Sequence, residues 1–512
     1  EIVVEFMMGF KYYRHAFKYA EFIKARVFLD RLAEGLVKLG KGLKTELKKK
    51  RDEKVAQLSL ISKKMSEAAH KKNEDKLKKL RDQYQITQRE FEDLLVKIRL
   101  ANPLYASVKY PEPVTLNHLQ KDILKKGEII LRYFVSIEKV YVFLVSKKDF
   151  YVVTLEVTEE EINKVVEDYS EICSPVKAKN KYKYWNEIRR KTRLLINHGK
   201  IIYESLFKPL EPELWGTKDI IIIPDGELAK VPFESFVIDN TNPDRPVYLL
   251  EKYRIKYIQS ASVLSTLRTH YRREGKTNHF IGFGDPVYDY ENFREEKPER
   301  GTPYQEKGDE IKEIHRGKYD REGGMFNRLP GSGQEVEAIA ELFNKQNQKS
   351  VVYLRDKANE ENAKSLDMKQ FDYIHFSCHG ILGDGFQSLV LSQIPQAKED
   401  GYLTLNELMN CDYHAKLVVL SACKTGSGKM ERAEGVTGLT RAVMYAGTPA
   451  VVASLWNVSE MGTKELMVKF YTNMLEKGMS KEEALRQAKL EMIKGVKYSS
   501  PYYWSAFVMY GE

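Results

Sequence analysis

A chain of 512 residues exceeds what one hydrophobic core usually organises, so several domains are expected. With 42% hydrophobic and 30% charged residues it has the balance of folded domains, and no apolar run approaches the ~18–20 residues of a bilayer span. Four cysteines in this length exclude a disulfide framework, and the absence of CxxC, HExxH and EF-hand patterns argues against a metal site. A reducing, cytoplasmic compartment fits this cysteine usage.

The start, "EIVVEFMMGFKYYRHAF", lacks the basic region and cleavage pattern of a signal peptide, and its helical pattern suggests that further chain precedes Glu1. Residues 1–40 read as helices with Ala16, Tyr19, Ala20 and Ala25 at helical spacing, similar to the last unit of a tetratricopeptide array. Residues 41–110 read as a basic helical hairpin. Leu77, Leu80, Tyr84, Thr87, Phe91, Leu94 and Ile98 form a heptad seam with Thr87 as its polar member, and "HKKNEDK" suits the tip. The net charge of +10 is concentrated here: residues 41–81 carry 15 Lys/Arg against 6 Asp/Glu, a balance of +9. Such a run could contact nucleic acid, but aromatics for base stacking are missing before Tyr84, so a solvated helix face is the stronger reading.

From about residue 118 the period changes. "GEIILRYFVSIEKVYVFLVSKKDFYVVTLEV" predicts a three-stranded meander, with helices following to about 208. "DIIII" and "HFIGFGDP" predict buried strands of a largely parallel sheet. Residues 286–328 are charged and glycine-punctuated and read as a long loop, a possible processing site. A second α/β unit follows: helix 333–343, strand "SVVYL", a helix start at "NEENAKSL", strand "FDYIHFSCHG", short strand "SLVLS", a helix opened by a Thr404–Glu407 capping box, strand "KLVVLSAC", helix "EGVTGLTRAVMYAG", strand "AVVASLW" and two closing helices.

His379 and Cys423 thus fall at the carboxyl ends of two strands, where open α/β sheets collect ligands. Small flexible residues follow each, offering backbone N–H groups. A thiol becomes a nucleophile near neutral pH with an imidazole beside it. Buried strand cysteine is equally common, and the residue pattern alone leaves both readings open for Cys423. For Cys173, Cys378 and Cys411 it favours packing, as it does for His375. "CKTGSGKM" is no phosphate loop, because Walker A needs glycine at Cys423 and Ser/Thr at Met430.

The segments "HFSCHG", "LVVLSACKTGSG", "EGVTGLTRAVMYAGTPAVVASLWNVSE", "IIIIPDGELAKVPFESF" and "FIGFGDP" resemble, in order and spacing, the CHAT family of caspase-like cysteine peptidases. The resemblance runs from about 120 to 512. It implies an α/β caspase-like fold, a largely parallel sheet flanked by helices, preceded by an all-α region. Residues 111–328 then form an inactive half and 329–512 a catalytic half. It implies a His379–Cys423 dyad, an oxyanion site from the backbone N–H groups of Gly380 and Cys423, and no cofactor.

Substrate recognition is expected along "VASLWNV", with Ser454 and Trp456 lining a pocket, and Asp384 near enough to favour a basic residue there. For Trp456 a core position is the competing reading. Members of this family act under partners such as RNA-guided CRISPR effectors, or in antiviral and cell-death pathways. The expectation is therefore an endopeptidase acting on a protein substrate, kept latent until a protein or ribonucleoprotein binds its N-terminal helices. The rivals are an inactive scaffold of the same fold and a nucleic-acid-binding module built on the basic hairpin.

Overall fold

The computed structural model describes residues 2–21, scattered positions from 46 to 94, and 114–176, 180–214, 216–242, 245–270, 277–297, 326–383, 386–423, 435–456 and 459–512. The N-terminal part is helical at α1 (Ile2–Gly9), at residues 13–21 and at all described positions of 46–94, with a turn at 10–12. In the hairpin Leu58, Ile61, Leu80 and Phe91 are buried, and Lys54 Nζ meets Glu90 Oε2 at 2.7 Å, a pairing that two antiparallel helices bring about. Thr87 is buried in the seam because its hydroxyl donates to the Gln83 carbonyl at 2.8 Å. Ala25, Tyr84, Ile98 and much of the basic stretch lie outside the described residues.

The rest is one mixed, mostly parallel sheet of thirteen strands with helices packed on it. Its strands are β1 (Glu128–Val135), β2 (Val140–Ser146), β3 (Phe150–Leu155), β4 (Asp219–Ile223), β7 (Arg254–Tyr257), β8 (Phe280–Pro286), β9 (Ser350–Arg355), β10 (Tyr373–Gly383), β11 (Phe386–Val390), β12 (Tyr402–Thr404), β13 (Leu417–Cys423), β14 (Ala450–Ser454) and β15 (Phe507–Gly511). A separate pair, β5 (Val237–Asp239) and β6 (Val247–Tyr248), lies apart. The meander is present as β1–β2–β3, antiparallel throughout. β1, β4 and β7 run parallel, as do β9, β8, β10, β13 and β14. β15 joins the two sets, parallel to β7 and antiparallel to β14.

Two expectations are corrected here. The chain does not close on two helices: α8 (Glu460–Leu475) and α9 (Lys481–Lys494) are followed by β15, whose Phe507 to Tyr510 are fully buried mid-sheet. "NEENAKSL" gives a single helical turn, Glu360–Ala363, before a 3-10 turn. The parallel set around His379 includes β8, from residue 280, which lies between β9 and β10.

The helices that frame the site are α2 (Glu159–Ile172), α3 (Lys181–Ile202), α4 (Ala261–His270), α5 (Pro330–Lys345), α6 (Leu405–Asn410) and α7 (Gly435–Tyr445). α5 starts on Pro330, whose missing N–H costs nothing at a helix start. It lies on β8 so closely that a Cβ at Gly284 would stand 2.7 Å from the Ser332 carbonyl oxygen. α6 opens with the Thr404–Glu407 capping box, and α7 ends before Gly447, whose φ of 96° suits glycine.

Candidate active site

β10 changes partners at His379. Up to that residue it runs parallel to β13, and from it onward antiparallel to β11. In register, His379 faces Cys423 on one side and Val390 on the other. Neighbouring strands lie about 4.8 Å apart, so the backbones of the two sequence-predicted residues are as close as adjacent strands allow. β10 does not end in a loop at this point, as the sequence suggested. Gly380 continues the strand opposite Leu389, in a hairpin that runs to Gly383.

The imidazole of His379 is fully buried. Its Nε2 lies 2.8 Å from the Asn327 carbonyl oxygen, which can only accept, so Nε2 carries the proton and Nδ1 is the basic nitrogen of the neutral ring. The backbone N–H of His379 donates to the Tyr288 hydroxyl at 3.2 Å, and that hydroxyl donates to the Val390 carbonyl at 3.0 Å. The rings of Phe326 and Tyr288 sit 5.0 Å from the imidazole. These two, with Leu329, Val390, Tyr402 and Ile381, form a small apolar cluster separate from the main core. It dries the imidazole and fixes its plane.

Sequence reasoning missed Tyr288, Phe326 and Asn327, since they lie within the charged 286–328 stretch read as loop. Asp384 lies outside the described residues. Ser454 is buried and donates to the Ala422 carbonyl at 2.7 Å, bracing β13 one residue before Cys423. Trp456 is buried, its Nε1–H on the Tyr502 carbonyl at 3.1 Å and its ring edge-on to Tyr169. Both engagements are packing contacts with neighbouring elements.

His375, on the same strand face four residues earlier, is fully buried, with Nε2 on Glu335 Oε1 of α5 at 2.8 Å and Nδ1 facing the Tyr471 hydroxyl at 3.3 Å. Cys173, Cys378 and Cys411 are buried, and burial pushes the Cys173 thiol far up, so it stays protonated. The carboxylates of Glu360, Glu399 and Glu407 converge, and the Lys364 ammonium sits among them at 2.8–3.1 Å. The charge a cation would supply there is already present.

A mostly parallel sheet with a histidine and a cysteine in register on adjacent strands, led by helices, is the arrangement at hand. The CHAT domain matches residues 197–512, more than half of the sequence, and the chain belongs to the CHAT-domain family. Among curated relatives it is similar to tetratricopeptide repeat protein 28 of Homo sapiens, 23% identical over 357 residues, which cover 61% of this chain and 13% of that protein. The Mus musculus protein of the same name is 31% identical over 110 residues, 22% of this chain and 4% of that one. This chain therefore spans a small part of those relatives. Two crystal structures of the Saccharomyces cerevisiae separase–securin complex match at TM-scores of 0.47 and 0.45, with 12% and 11% identity, covering 90% and 98% of this chain and 37% and 41% of theirs. Among the described residues no helix is long and apolar enough to cross a membrane.

Proposed function

We infer that this chain is a caspase-like cysteine endopeptidase whose nucleophile is Cys423 and whose proton carrier is His379. The observation that carries this reading is the strand register that sets His379 beside Cys423, together with the hydrogen bond that commits Nε2 to Asn327. With Nε2 so engaged, Nδ1 is the nitrogen that exchanges protons. Nδ1 takes the Cys423 thiol proton as the sulfur attacks the scissile carbonyl carbon, and a C–S bond forms as the carbonyl oxygen gains negative charge. The backbone N–H groups of Gly380 and Cys423 are the donors proposed for that oxygen. The C–N bond then breaks as His379 protonates the departing amine. Water, deprotonated by His379, releases the acyl group and restores the thiol.

In this reading the 280–286 and 329–512 strands carry the chemistry and the β1–β4–β7 side is the inactive half. The complete burial of the imidazole supports latency, relieved when a protein or ribonucleoprotein partner binds the N-terminal helices and exposes the site to a cytoplasmic protein substrate. Ser454 and Trp456, engaged with Ala422 and Tyr502, act in this scheme by bracing strand ends.

The test compares new protein N-termini in cells making the intact protein or its Cys423→Ala variant, and iodoacetamide labelling of Cys423 with and without His379. Cys423-dependent N-termini and His379-dependent labelling are expected. No such N-termini, with labelling indifferent to His379→Ala, would leave the fold as a scaffold.

A further inference from the structure

The carbonyl that commits His379 Nε2 belongs to Asn327, and the next residue is held with unusual firmness. Arg328 Nε lies 3.1 and 3.2 Å from the two carboxylate oxygens of Asp285, and its Nη2 lies 2.7 Å from Oδ2. Asp285 is itself buried at the end of β8, with φ at 45°, a left-handed turn that carries the chain out of the strand. A second guanidinium, from Arg355, reaches Asp285 Oδ1 at 3.0 Å and its backbone oxygen at 3.0 Å. On the other side of Asn327, Phe326 packs on the imidazole. Beyond Arg328, Leu329 is fully buried, and its carbonyl accepts from the Ser332 hydroxyl at 2.7 Å. The Asn327 peptide is thereby fixed at both ends.

We propose that the Asp285–Arg328 ion pair is the positioning device of the site: it orients the Asn327 carbonyl, and through it selects the Nε2–H tautomer of His379. This rests on the peptidase reading for its purpose, but not for its test. Two tautomers of a neutral imidazole differ little in energy, so the partner of one nitrogen decides which persists. A backbone carbonyl turns with its peptide plane, and the forked guanidinium–carboxylate contact is the kind of directional bond that holds a plane still. Arg355 stabilises the Asp285 carboxylate without adjoining Asn327. It serves as the matched comparison.

The experiment uses the full chain labelled with nitrogen-15 at histidine, the His379 signals assigned by loss in His379→Gln. In the unaltered protein, Nε2 should resonate as a protonated nitrogen and Nδ1 as a bare one. In Arg328→Met the two signals should move toward averaged positions. In Arg355→Met they should stay. Iodoacetamide labelling of Cys423 should slow about tenfold in Arg328→Met, the size of effect that loss of an orienting partner usually produces. If Arg328→Met does not fold, Arg328→Lys, which keeps the charge without the fork, should show partial averaging.

A single Nε2–H tautomer surviving in the folded Arg328 variant overturns the proposal, as does equal averaging in Arg355→Met. Tautomer loss in Arg328→Met, in a protein whose Cys423 never reacts, supports the positioning role and sinks the peptidase reading instead.

Discussion

Glu335 and His375 join helix α5 to strand β10 through a 2.8 Å contact between two fully buried side chains. A buried pair of this kind contributes little net stability compared with apolar packing, yet losing one partner leaves a charge or dipole stranded, at about 3–5 kcal/mol. His375→Ala should therefore lower unfolding free energy by about that amount in urea titrations. Where the variant still folds, Cys423 labelling should persist, because His375 faces Glu335 and Tyr471. His379→Asn should instead abolish labelling in protein that still folds, with a stability loss of its own from the vacated ring site. If His375→Ala instead silences a well-folded protein, the assignment of roles between the two histidines is wrong.

A second prediction concerns acid. Burial alone would raise the Glu512 carboxyl, but Lys256 and Arg268, each 2.6 Å from Oε1, outweigh it and hold the group at about 2. A carboxyl depressed from an ordinary value of 4.5 stabilises the fold fully above that value, and the contribution disappears as pH falls from about 4.5 to 2. Holding the group at about 2 instead of 4.5 corresponds to about 3 kcal/mol. Glu512→Gln should thus be less stable at pH 7 by up to that amount, and the gap should close toward pH 2. A gap that is constant across this range would show that the interaction is not electrostatic.

How much of this could be read from the chain depends on whether a feature is local. β10 and β13 announce themselves as short apolar runs rich in β-branched and aromatic residues, and His379 and Cys423 stand out as reactive side chains where those runs give way to glycine. β15 was missed because "FVMYG" is brief and pairs mid-sheet with β14 and β7, the latter some 250 residues away. The partner of His379 was illegible for a different reason. It is a backbone carbonyl, which every residue possesses, and its place is set by Asp285 and Arg328, separated by 43 positions across the charged stretch. Spacing cannot reveal such a contact.

Alkaline behaviour follows from the opposite kind of carboxyl. Burial, and then the neighbouring Glu407, raise Glu360 to about 9 despite Lys364. The folded chain then holds a proton that the unfolded chain releases near 4.5, so stability declines as pH climbs from about 4.5 to 9. Burial is the main origin of the retained proton, and one ammonium among three carboxylates does not offset it. Glu360→Gln keeps an oxygen for the Gly401 N–H, which Oε2 accepts at 3.0 Å, and removes the titration. Its unfolding free energy should be flatter than that of the unaltered chain across this window, and higher by about 1–3 kcal/mol at pH 8. Parallel pH profiles for the two would show that Glu360 is ionised in the fold.

The last prediction tests the helix that follows Asn327. At Gly284 an added Cβ would meet the Ser332 backbone oxygen at 2.7 Å and the Val336 side chain at 2.8 Å, and backbone cannot step aside as a side-chain tip can. Gly284→Ala must push α5 off β8, at about 1–3 kcal/mol for the overpacking. The Asn327 carbonyl precedes α5 by three residues, so the shift should reach His379, and Cys423 labelling should fall with stability. Gly478 offers a control of similar energetic cost and different geometry. Its φ of 66° makes alanine strained, by about 1 kcal/mol, while nothing lies within 4 Å of the new methyl. Gly478→Ala should lose stability and keep its labelling rate. Thermal unfolding and alkylation measured on both variants separate a general loss of stability from a displaced helix. Equal loss of reactivity in the two would mean that α5 does not hold the imidazole's partner in place.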